Sequence, residues 1–136
     1  MLSFHASLRR FALGSMCSVA MGAWAGDTTP QAQLEHWQQA AGAPASAQAG
    51  EAFFTRKHGR EWACASCHHA PPTRAGQHAV TGKTLAPVAP AFNAKAFTRT
   101  RQVNKWFKRN CGDVLGRACT AQEKADVLAY LLSLKP

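Results

Sequence analysis

Apolar residues recur at helical spacing in four stretches of the chain, separated by segments rich in proline and glycine. Thr29-Pro30 opens the first, with a hydroxyl at the cap position and a proline where its missing N–H is harmless. Leu34, Trp37 and Ala41 follow on one face and Gly42 stops the pattern, which predicts a short amphipathic helix over 30–41. Ser46 caps a second predicted helix reaching about Lys57, with Gly50 and Phe54 one turn apart on the same side. Between Ala70 and Asn93 stand four prolines and two glycines without a sustained apolar period, which predicts a loop. A loop that long in a small domain needs something to cover. From Thr98 the pattern is helical again, with Val103, Trp106 and Phe107 towards a core, and Asn110 and Gly112 mark its expected end. Thr120-Ala121-Gln122-Glu123 is a capping box ahead of Val127, Leu128, Leu131 and Leu132. No strand pattern of comparable length appears, so the expected fold is all-α with about four helices.

The first 25 residues read differently. Arg9 and Arg10 precede an apolar run from Phe11 to Trp24, and Ala23-Trp24-Ala25 is a small-x-small cleavage pattern. Residues 1–25 are therefore expected to be a signal peptide and 26–136 a single domain, exported to the periplasm. The run is too short for a stable membrane anchor. Removing Arg9 and Arg10 lowers the formal net charge only from +9 to +7, so the remaining chain stays basic. Such a balance fits nucleic acid, an anionic surface or an acidic protein, and export argues against nucleic acid. Lys83, Lys105, Lys108 and Arg109 are the basic residues expected to meet an acidic protein partner.

Four cysteines lie beyond the signal, and an oxidising compartment does not leave them as idle thiols. Cys64-Ala65-Ser66-Cys67-His68 is C-x-x-C-H, the attachment signature of c-type haem. Two thiols at this spacing can each add to one porphyrin vinyl group, and the adjacent His68 is then held beneath the iron as proximal ligand. A thioredoxin-like dithiol would need a strand-turn-helix context, and a zinc site shared with Cys111 and Cys119 would suit the cytosol better. The expected cofactor is one covalent haem c. The motif, with Gly50-x-x-x-Phe54 before it and Tyr130-Leu131 near the C-terminus, resembles class I cytochrome c. That resemblance implies a close crossing of the glycine-bearing helix with the last helix.

Electron carriers of that class ordinarily use a methionine as second axial ligand. Met1, Met16 and Met21 all precede residue 26, so the domain has none. A histidine, a lysine, an asparagine or an open position remains. His36, His58 and His78 are candidates, with His78 foremost by chain position; His69, next to His68, cannot reach the opposite haem face. Asn110 is the other candidate, although asparagine is also common at helix ends.

The segment from Arg109 to Thr120, with Asn110 followed by the Cys111 and Cys119 pair, is similar to the distal region of the sphaeroides haem proteins, oxygen-binding class I cytochromes with an asparagine axial ligand. Val80-Thr81-Gly82-Lys83, Ala86-Pro87-Val88-Ala89-Pro90, Phe97-Thr98 and Lys105-Trp106 are similar to the same family. The resemblance implies that Asn110 binds ferric iron and leaves on reduction, so that oxygen or nitric oxide binds at ferrous haem. It also implies a redox partner such as a dihaem cytochrome c linked to a membrane b-type cytochrome. A neutral amide oxygen is a hard, weak donor that suits ferric better than ferrous iron, which agrees with that behaviour. A bis-histidine electron carrier and an enzyme converting oxygen or nitric oxide are the competing readings. Cys111 and Cys119, eight positions apart in an oxidising compartment, are expected to form a disulfide, which either fixes the loop beside Asn110 or simply staples a small domain.

Overall fold

The computed structural model describes residues 26–136; the expected signal peptide lies outside the described residues. Five α-helices form the domain: α1 (Pro30–Ala41), α2 (Ala47–Thr55), α3 (Cys64–His68), α4 (Thr100–Leu115) and α5 (Ala121–Ser133). A small antiparallel hairpin, β1 (Gly76–Gln77) with β2 (Thr84–Leu85), and a 3₁₀ turn at Pro90–Phe92 interrupt the long loop. None of these helices is long and apolar enough to cross a membrane.

Local chemistry sets most boundaries. Thr29 accepts from the Ala32 N–H and Gly42 turns left-handed at φ 67°, so α1 begins and ends where its sequence indicates. Ser46 caps α2 by accepting from the Ala49 N–H; α2 stops at Thr55, short of the expected Lys57. The Thr120 hydroxyl accepts from Glu123 N–H while the Glu123 carboxylate accepts from Thr120 N–H, closing the box at the start of α5.

Two expectations need correction. A fifth, five-residue helix is present, and α4 does not end near Asn110 but runs on to Leu115. Gly112 sits inside α4, and the left-handed stop is Gly116 at φ 72°. The start of α4 is also unusual, because Arg99 supplies no side-chain cap. Asp27 supplies it from 73 residues away, its Oδ1 accepting from the Thr100 N–H at 2.7 Å and the Thr100 hydroxyl at 3.2 Å.

The core forms where α1 and α2 cross α5. Phe53, Phe54, Val127, Tyr130 and Leu131 are buried together with Cys111 and Cys119. A side chain at Gly50 would run into the Asp126 carbonyl oxygen and the Tyr130 Cβ, so only glycine lets α2 and α5 approach this closely. Phe54 packs on Tyr130 with ring centroids 5.7 Å apart at the same crossing. The expected close contact between the two helices is therefore present.

Candidate haem-binding site

Alone, a helix of five residues is not stable, since nucleation costs more than so few hydrogen bonds return. Tertiary contacts hold α3. Ser66 Oγ accepts from the Ala63 N–H at 3.0 Å, and Phe54 of α2 packs at 6.3 Å from the His68 ring. Beneath it, β1 lies so close that a side chain at Gly76 would strike the Cys67 carbonyl. His69 makes the intervening turn at φ 64° and ψ 175°, a region that residues with a Cβ rarely occupy.

Within α3, Cys64, Cys67 and His68 fall on one side at i, i+3 and i+4. Neither cysteine takes part in a disulfide. Burial pushes the Cys64 thiol up to about 11. Cys67 Sγ accepts weakly from the Ala79 N–H at 3.4 Å. Burial, and then the charge of His69, lowers the affinity of His68 for a proton. Its Nδ1 is buried without a hydrogen-bond partner, an arrangement that carries a desolvation penalty unless the ring is engaged otherwise.

Asn110 occupies the inward side of α4. Val103, Phe107, Asn110 and Val114 follow one another at i, i+4, i+7 and i+11, so an amide stands in a stripe otherwise apolar. Asn110 is half-buried, and its side chain makes no hydrogen bond among the described residues. Beside it, Cys111 is bonded to Cys119, which forms the expected disulfide. The bond does not fix a loop next to Asn110, because Asn110 is inside a helix; it ties the last turns of α4 to the residue before the α5 cap. With those sulfurs joined to each other, a zinc site shared with Cys64 and Cys67 is removed.

The other axial candidates are engaged elsewhere. His78 lies in the hairpin turn, its Nδ1 accepting from the Val80 and Thr81 N–H groups at 3.3 Å. The next residue, Ala79, touches Cys67, so His78 is on the thiol side of the motif. His58 bonds the Phe53 carbonyl through Nε2 at 2.8 Å and lies against the Phe53 ring. His36 is exposed on α1, its ring edge-on to Trp37.

Val88, Phe97, Phe107, Leu115 and Leu134 are partly buried against the core and, with Cys64 and Ala65, give the region an apolar lining. Sequence periodicity marks Phe107 alone among these five, because Val88 and Phe97 come from irregular chain and Leu115 and Leu134 from helix ends. Two thiols and an imidazole on one side of α3, set against apolar residues, fit a covalently attached haem. The four basic residues do not form one patch. Lys105 and Arg109 flank Trp106 on α4, Lys108 lies with Trp37, Phe107 and Lys124, and Lys83 is in the hairpin.

A family described as a domain of unknown function (DUF1924) matches residues 40–131. The cytochrome c-type protein SHP of Cereibacter sphaeroides is 48% identical over 113 residues, covering 80% of this chain and 87% of that protein. The structure of oxidized SHP, described as an oxygen-binding cytochrome c, superposes with a TM-score of 0.75 at 45% identity, covering 80% of this chain and all of that one. The solution structure of cytochrome c'' from Methylophilus methylotrophus, reported for its haem-ligand detachment, gives a TM-score of 0.68 at 37% identity, covering 79% of this chain and 94% of the other.

Proposed function

The chain belongs to the DUF1924 family and to the SHP-type monohaem cytochromes c with one covalently bound haem c, and from that premise we propose that it transfers single electrons and binds oxygen or nitric oxide after Asn110 is released. On this reading Cys64 and Cys67 hold the haem by thioether bonds, His68 is the proximal ligand and Asn110 the distal one. The haem supplies one-electron redox change and, when reduced, an affinity for diatomic gases.

Asn110 carries the argument. It is the one polar member of the inward stripe of α4, and the domain has no methionine to take its place. As a hard and weak donor, the amide oxygen favours the ferric state, so reduction loosens it. That SHP is an oxygen-binding cytochrome and cytochrome c'' a case of haem-ligand detachment supports the same behaviour here. His68 is steadied from behind by Phe54, and the glycine-dependent approach of β1 keeps α3 from shifting as the opposite ligand comes and goes. On the same reading the basic domain works in the periplasm and exchanges electrons with a dihaem cytochrome c linked to a membrane b-type cytochrome.

Absorption spectra of the ferric and ferrous holoprotein test the assignment. Asn110→Ala is expected to leave haem attachment intact, alter the ferric spectrum and leave a five-coordinate ferrous spectrum nearly unchanged. His78→Ala is expected to change neither. A six-coordinate, low-spin ferrous spectrum that survives Asn110→Ala and is lost in His78→Ala would establish a bis-histidine carrier instead.

A further inference from the structure

The outward side of α4 has a composition that neither haem attachment nor the distal ligand requires. Trp106, expected to face the core, is instead 40% exposed, although an indole has much apolar area to lose to water. It is flanked by two cations, with Lys105 Nζ 5.5 Å and Arg109 Cζ 5.7 Å from the ring centroid. Arg101 stands one turn before Lys105 and is exposed. The acid on this helix, Asp113, meets Arg109 at 4.0 Å with both side chains more than half exposed, so it neutralises little.

We propose that this face, with Trp106 as anchor between Lys105 and Arg109 and Arg101 one turn upstream, docks an acidic patch on a protein partner. Exposed tryptophan and arginine are the residues that most often dominate protein interfaces, and cations stacked on the ring hold it ready at little entropic cost. A membrane surface fits less well. An interfacial helix turns its apolar side outward, whereas Val103, Phe107 and Val114 of α4 face the core. A flat aromatic within a cationic ring suits carboxylates with apolar stems, as an acidic protein surface presents them. The inference rests on the electron-exchange reading above and names its surface. That surface is only part of the basic set, because Lys83 and Lys108 lie elsewhere.

The test uses the ferric holoprotein, amide NMR shifts and poly-L-glutamate as probe, with phosphatidylglycerol vesicles as the comparison. Poly-L-glutamate is expected to shift the amides around residues 101–109 first. Lys105→Glu with Arg109→Glu should weaken binding about tenfold or more, and Trp106→Ala about fivefold, while Trp106→Phe retains most of it. Shifts centred elsewhere, equal binding by Trp106→Ala, or vesicle binding without polyglutamate binding would each overturn the proposal. The ferrous spectrum separates this outcome from the fate of the function itself. Normal Asn110 behaviour with a silent α4 face sinks the surface alone, and the reverse result sinks the ligand reading.

Discussion

Replacing both Cys111 and Cys119 with alanine removes a crosslink whose worth can be worked out from its place in the chain. The bond closes a loop with a sequence separation of 8. Chain-entropy arithmetic gives the denatured state about 2.5 kcal/mol of freedom that the bond withholds. Both sulfurs are buried, at 3% and 8% exposure, so alanine is the right replacement; serine would add an unpaired hydroxyl to the core. A domain of this size should melt about 10 °C lower. The distal ligand should survive, because Asn110 is held by the backbone bonds of α4, which continues past it to Leu115. Differential scanning calorimetry of the double variant, beside its ferric absorption spectrum at 25 °C, reads both quantities. A melting temperature within about 2 °C of the parent would refute the entropic argument. A ferric spectrum like that of Asn110→Ala would show that the crosslink, and not the helix, positions Asn110.

Gly50→Ala forces a methyl group against the Asp126 carbonyl and should cost about 1–3 kcal/mol in urea unfolding, with the ferrous spectrum retained in the folded fraction. Asp27→Ala deprives α4 of its remote cap and should cost about 1 kcal/mol, with hydrogen exchange accelerated in the first turn of α4 and not in α5. Arg117 holds the Glu123 carboxyl below its ordinary value of 4.5, a lowered folded pKa, so the pair stabilises the domain above that pH and the contribution is lost as pH falls through the lowered value. Melting curves of Glu123→Gln and the parent should accordingly differ at pH 7 and converge in acid; a constant gap would refute the linkage.

Sequence reading succeeded where local chemistry decides. Thr29, Pro30 and Gly42 delimit α1, and the Thr120 and Glu123 box opens α5, because each cap satisfies groups within a turn of itself. Failure came where distant parts of the chain decide. Gly112 reads as a stop, but buried Cys111 and Val114 flank it and the left-handed stop comes at Gly116; the expected helix end at Asn110 is a position inside α4. No local signal announces that Asp27 caps a helix 73 residues on, or that α3 is held by Phe54 and by the approach of β1 at Gly76. At the site, the C-x-x-C-H spacing was legible as haem attachment and the Cys111–Cys119 bond as a pairing. The apolar lining from Val88, Phe97, Leu115 and Leu134 was not, because these residues belong to irregular chain and helix ends.

The continuity of α4 through Asn110 has a kinetic consequence. A side chain carried on a crosslinked helix can leave its bonding position by rotating about its own bonds once the bond is broken, with no backbone to rearrange. On the proposed ligation, a gas meeting ferric iron therefore contends with a tethered rival, whereas at ferrous iron the released carboxamide leaves the position open. If the carboxamide is absent for one part in a hundred of the time, the apparent gas affinity falls about 100-fold. Any partner or substitution that alters this fraction retunes gas affinity without touching the gas, and the ferric and ferrous states differ by the same arithmetic.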